Sequence, residues 1–184
     1  MSEHEYSPQP EAQKEYSFDE GVDVSIEKIK ALLETQDEVV VCITGSGTGV
    51  GKTYLDGALG KKLTDLGIAN IALANDYFLD VYAQRLLDQE DKRYKGRKKA
   101  VIILTAGGTF GDHGGRGMEI SDAKMTEIKE REDTSLRQAA QKAGLKLEKI
   151  DLRIFIYRTD KIFGKDALRG ADIIIKNEKA KDDR

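Results

Sequence analysis

A chain of 184 residues is long enough for one domain with a sizeable core and short for two. Its 39% hydrophobic and 34% charged residues are those of a soluble, rather highly charged globular protein, and its net charge of −3 excludes general polyanion binding. The single cysteine, Cys42, excludes an internal disulfide, and no run reaches the roughly 18 apolar residues of a membrane span.

Residues 1–20 are polar and acidic and carry both prolines, Pro8 and Pro10. They read as a disordered or loosely docked tail, not a signal peptide, and the chain reads as cytoplasmic. Along residues 23–36, Ile26, Ile29, Leu32 and Leu33 fall on one helical face, with Asp23 or Ser25 placed to cap it. EVVVCIT (38–44) is a β-branched run without alternation, as in a strand buried on both faces of a parallel sheet; Cys42 within it is a small hydrophobe. A glycine-rich stretch follows, then Leu55, Leu59, Leu63 and Leu66 at helical spacing, stopped by Gly67.

The alternation continues. IANIALAN (68–75) is a second strand, FLDVYAQRLLDQ a helix and AVIILTA (100–106) a third strand, followed by the glycine-rich loop GGTFGDHGGRG. Residues 119–143 are helical in character, with a polar gap at 129–135 that divides them in two, and Gly144 ends the segment. IDLRIFIYR and ADIIIKN supply two more strands around a short connection holding Lys165–Arg169. Strands alternating with helices predict an α/β fold: three layers, with about five mainly parallel strands and helices on both faces. One domain spans 21–178, and 179–184 form a polar C-terminal tail.

GSGTGVGKT (45–53) lies between a buried strand and an amphipathic helix. Glycines there let the backbone present successive N–H groups in one concavity, and the helix N-terminus adds partial positive charge, so the turn favours phosphate. Gly45, Ser46, Gly47, Thr48, Gly49, Val50 and Gly51 would cradle the phosphates, Tyr54 would flank them, Lys52 would bridge the terminal ones, and the Thr53 hydroxyl would ligate Mg²⁺. The pattern G-x-x-x-x-G-K-[ST] wants glycine at 46, where Ser46 stands. Either Ser46 replaces the first glycine of an ordinary loop, or, counted from Gly45, the loop is one residue longer.

This nine-residue form resembles the phosphate loop of dethiobiotin synthetase, and strand, loop, GKT and helix in order identify the chain as similar to P-loop NTPases. ALANDYFLD (72–80) resembles the D-x-F/Y segment of uridine kinase and phosphoribulokinase relatives, which implies that Asp76 faces the acceptor hydroxyl; the alternative is that Asp76 only caps a helix beginning near Tyr77. Those families place a carboxylate at the end of the third strand; here Thr105 occupies that place, leaving metal handling to Thr53, Asp76 and waters, or to Asp112. TAGGTF (105–110) has some likeness to the EGAGG segment of dethiobiotin synthetase without its glutamate. Arg131, Asp133 and Arg137 loosely match the lid arginines of nucleoside-monophosphate kinases, with a solvated helix laced by pairs such as Asp133–Arg137 as the alternative. The final strand resembles the closing strand of P-loop kinases, implying that Asn177 lies by the adenine.

Two features stand outside these resemblances. In the loop 107–117, Arg116 is placed to stabilise transferring charge, and His113 reads as a solvated residue or an acceptor contact. KRYKGRKK (92–99) holds six Lys/Arg in eight residues, a solvated run or a patch for an anionic acceptor or nucleic acid. The reading is an ATP- and Mg²⁺-dependent kinase for a small-molecule hydroxyl, with Lys52, Asp76, Arg116, Arg131 and Arg137 as its working residues. A dethiobiotin-synthetase-like ligase and a non-catalytic nucleotide switch are the alternatives. No membrane partner is expected, a homodimer is left open, and the acceptor is not named.

Overall fold

The computed structural model describes residues 13–73, 100–105, 120–160 and 165–178. The expected helix after the second strand, the basic run 92–99, the loop 107–117, and with them Asp76, Asp112, His113 and Arg116, lie outside the described residues.

In chain order the elements are β1 (Glu15–Tyr16), α1 (Phe18–Thr35), β2 (Glu38–Gly45), α2 (Lys52–Asp65), β3 (Ala69–Leu73), β4 (Ala100–Thr105), α3 (Asp122–Lys142), β5 (Leu152–Tyr157), a 3₁₀ turn (Lys165–Gly170) and β6 (Ile173–Lys176). The strands form one sheet in the order β1-β6-β5-β2-β4-β3, and each pairing is parallel. The α/β class and the parallel sheet are therefore as expected.

Among the described residues the sheet has six strands, where about five were expected. The extra one, β1, pairs Glu15 with Ile174 and Tyr16 with Ile175, inside the segment expected to be a tail. Two residues are too few to show a period, so the sequence carries no strand signal there. A side-chain contact holds it: the Tyr157 hydroxyl donates to Glu15. Burial first, then that hydrogen bond and the charges of Glu15 and Glu178, push the Tyr157 phenol up to about 12.

Helix α1 likewise starts five residues before the expected 23, and neither Asp23 nor Ser25 caps it. Ser17 is its N-cap; the Ser17 backbone N–H and hydroxyl both donate to the Glu20 carboxylate, at 3.1 and 2.8 Å. Those bonds hold the Glu20 carboxyl below its ordinary range. The early start brings Phe18 and Val22 into the core with Ile26, Ile29 and Leu33.

Alternation along the strands divides the core between the two faces. Val39, Val41 and Ile43 of β2 pack with Ile29 and Leu33 of α1 and with Leu55, Leu59 and Leu63 of α2. Val40 and Cys42 pack on the other face with Leu136 and Ala140 of α3. The three leucines of α2 are fully buried, each stabilising by about 1.5–3 kcal/mol relative to exposure. Leu66, expected to continue their stripe, is exposed at the C-cap, because the helix ends at Asp65 and Gly67 turns the chain with φ 73°. Among the described residues no helix is long and apolar enough to cross a membrane.

Helix α3 runs unbroken through 129–135, where a division was expected. The polar residues there have partners across the fold. Arg153 of β5 lies 3.3 Å from Glu132 and 3.0 Å from Asp133, and Asp133 also accepts from the Ile150 N–H at 2.9 Å. A polar stretch that looked like a break is an ion-pair seat.

Candidate phosphate-binding site

The chain leaves β2 towards the β4–β3 side of the sheet, and later places β5 and β6 on its other side. The strand order thus reverses about β2. In open parallel sheets ligands gather beyond the carboxyl ends of strands at such a reversal. Residues 45–51, between β2 and α2, occupy that place.

Their conformation explains the glycines. Gly47, Gly49 and Gly51 have φ of 122°, 76° and 108°. At Gly51, the N-cap of α2, a Cβ would also stand 2.6 Å from Asn177 Nδ2, so both backbone and neighbour exclude a side chain. At Gly45 a Cβ would lie 2.5 Å from the Ile156 carbonyl oxygen, because β2 and β5 are packed backbone to backbone where the loop begins.

Three polar contacts set the loop. The Ser46 N–H donates to Ile156 O at 3.3 Å. Lys52 folds back so that its Nζ donates to Gly47 O at 2.7 Å, spanning the turn from the first residue of α2. Asn177 is 3% exposed, and its Nδ2 donates to Val50 O at 2.8 Å while its backbone N–H donates to Tyr157 O. Asn177 thus braces the loop, a use the expectation of a place by the adenine did not include. Asn177→Ala should leave Val50 O unpaired, cost about 1–3 kcal/mol and weaken nucleotide binding. Thermal unfolding and titration calorimetry with ATP measure both, and an unaltered melting midpoint would remove the brace.

Two oxygens here are buried without a hydrogen-bond partner among the described residues: Ser46 Oγ, on a residue 6% exposed, and Asp56 Oδ1. Asp56, a residue the sequence reading passed over, lies one turn into α2. Its Oδ2 accepts from the Thr105 hydroxyl at 3.3 Å. Burial raises the Asp56 carboxyl above its ordinary value, and the Thr105 bond offsets part of the rise. The signal that would have found it is spacing: Asp56 is three residues from Thr53 and four from Lys52, on one face of a helix beginning at Lys52. Thr53 is exposed, as is Tyr54, whose ring stands 5.1 Å from that of Phe18.

Of the α3 arginines, Arg137 is held away from the loop. Arg137 donates to Glu148 O at 3.0 Å and to Thr134 Oγ1 at 2.8 Å. Glu148 precedes β5, at the amino ends of the strands, so Arg137 lies at the edge of the sheet opposite the glycine loop. This corrects its expected place as a lid arginine, and Asp133 is engaged with Arg153 instead of pairing with Arg137. Arg131 is exposed on α3. A cleft of about 540 Å³ at the same opposite edge is lined by Asp37, Glu38, Lys146, Glu148 and Asp151 among others.

No protein-family model matches the chain, and no curated protein is significantly similar to it.

Proposed function

We propose that the chain is an ATP-dependent phosphotransferase with the layout of a P-loop NTPase, holding Mg·ATP on Gly45–Thr53 and passing the γ-phosphoryl to a hydroxyl of a small molecule. One observation carries the reading: a glycine-rich turn with positive φ at Gly47, Gly49 and Gly51 opens directly into a helix whose first residue is Lys52, where the strand order reverses. That arrangement favours phosphate through backbone N–H groups, the helix N-terminus and one cation together.

The residues present suit the nucleotide and its metal. The close approach of Ile156 leaves room only for glycine where the loop begins, and Ser46 Oγ is a buried hydroxyl with no partner among the described residues. Thr53 would offer its hydroxyl to the cation, whose contribution is to neutralise charge on the phosphoryl oxygens. Lys52 would exchange the Gly47 carbonyl for the terminal phosphates. Asp76 would orient the acceptor and take its proton as that oxygen attacks Pγ and the bond to the β–γ bridging oxygen breaks, releasing ADP. Arg116 and Arg131 are assigned to charge stabilisation in the same scheme. Thr105 at the end of β4 supports a second reading, a nucleotide-binding switch without turnover.

ADP release from Mg·ATP over nucleosides, sugars, nucleoside monophosphates and small carboxylates tests the proposal. Hydroxyl-dependent release that Asp76→Asn abolishes, with ATP binding kept, is the expected result. Response to carboxylates alone would make the protein a ligase, and tight binding without turnover would make it a switch.

A further inference from the structure

The mechanism so far gives the cation a single protein oxygen, from Thr53, although Mg²⁺ beside phosphates is usually steadied by one or two carboxylates and retained waters. Among the described residues no group of three or more acidic, histidine or cysteine side chains could hold a metal alone. One carboxylate does stand by the loop. Asp56 sits on α2 at about 40° around the helix from Lys52, between it and Thr53 at about 100°. Its Oδ2 is fixed by Thr105, whose strand position pairs in register with Ile43, two residues before the loop begins at Gly45. Its Oδ1 is buried and has no hydrogen-bond partner among the described residues. Ser46 Oγ, in the loop itself, is buried and equally unsatisfied. Enclosed oxygens left without donors are costly, and one in the loop with another one turn into the helix that follows it point to a ligand that supplies donors.

We infer that Asp56 accepts hydrogen bonds from the water shell of the divalent cation bound with the nucleotide, so that helix α2 provides the metal-side carboxylate and Thr105 serves to orient it. The inference rests on the phosphotransferase reading and specifies how that site holds its metal. Thr105 is then a positioning residue, and its presence at the end of β4 no longer argues for a switch. Lys52, Thr53 and Asp56 form one set within the first two turns of α2, serving phosphate, cation and the cation's waters.

The test is ATP affinity by titration calorimetry in excess MgCl₂ and in EDTA, for the intact chain and for Asp56→Asn. The parent should bind more tightly with Mg²⁺ than without. Asp56→Asn should lose about ten- to hundredfold of the Mg²⁺-dependent affinity, the usual loss when a carboxylate supporting a metal's ligands is removed. In EDTA it should bind ATP as tightly as the parent or more so, since a negative charge near the phosphates is gone. That crossing cannot come from general damage to the fold. Thr105→Asp added to Asp56→Asn should recover part of the Mg²⁺ increment by restoring a carboxylate from the strand. If Asp56→Asn does not fold, Thr105→Val, which leaves the charge and removes the orienting donor, should lower the increment in its place. An undiminished increment in whichever variant is measured overturns the assignment while leaving the phosphate loop intact. Failure of the parent to bind ATP under either condition overturns the phosphotransferase reading and this inference together.

Discussion

Lys52→Ala is expected to fold as the parent does and to lose ATP-dependent turnover by about 10²- to 10³-fold, the usual cost of deleting one preorganised donor to developing charge. The side chain is partly exposed and its Nζ bonds the Gly47 carbonyl across the loop. Removing it takes nothing from the buried core, so the change in stability should stay within about 0.5 kcal/mol. In the phosphate-bound protein the same Nζ would leave a neutral carbonyl for an oxygen of the dianionic terminal phosphate, and that exchange strengthens as charge spreads over the transferring group. The loss should therefore fall mainly on turnover and less on ATP affinity. Lys52→Arg should not rescue it, because a planar, forked guanidinium does not replace a compact ammonium in a turn built for one. ADP release read beside thermal unfolding separates the effects. Full turnover in a folded Lys52→Ala protein would end the phosphate-loop reading.

The parts of the fold legible in the sequence are those where burial is local and repeated. β2, β4, β5 and β6 each appear as apolar runs because both faces of the sheet are covered, and the structure buries Val39–Ile43 and Val101–Leu104 accordingly. The glycine loop was legible for a different reason: positive φ and close approach leave few alternatives to glycine, so backbone geometry is written directly in residue type. What depended on partners distant in sequence was not legible. Glu132 and Asp133 read as a break in α3 because their partner, Arg153, is about twenty residues away. Arg137 matched a lid pattern, but residue spacing along a helix does not say which edge of the sheet its end reaches; Glu148 decides that. Asn177 was noticed for its place after the last strand, yet its use in bracing Val50 needs a contact spanning 127 residues. Asp56 is the reverse case, visible at i+3 and i+4 from Thr53 and Lys52, and overlooked because a carboxylate was sought on the strand.

Arg153 carries the second large effect, on stability. Its side chain is 12% exposed, between Glu132 at 14% and Asp133 at 21%, and it also reaches the Ile150 and Lys129 carbonyls at 3.4 and 3.5 Å. Arg153→Met keeps the aliphatic stem but takes the guanidinium away from two adjacent carboxylates, both largely shielded. Breaking a buried pair in this way costs about 3–5 kcal/mol, far more than the intact pair gains over an apolar replacement. The asymmetry gives a sharper measurement than the single variant. Adding Glu132→Gln to Arg153→Met removes one of the two shielded negative charges, so the double variant should be more stable than Arg153→Met alone, with a coupling of about 0.5–3 kcal/mol. Asp133 should be left in place, since it also holds the Ile150 N–H at the entry to β5. Urea unfolding of the four proteins closes the cycle, with unchanged m-values showing that the same surface is exposed in each. If Arg153→Met costs under about 1 kcal/mol, the ion pairs are as weak as exposed ones, and some other contact must keep α3 continuous through its polar centre. If the cost is as expected, α3 is fixed to β5 through Arg153, and the arginine at 131, one residue before Glu132, is carried on a helix whose position the ion pairs set.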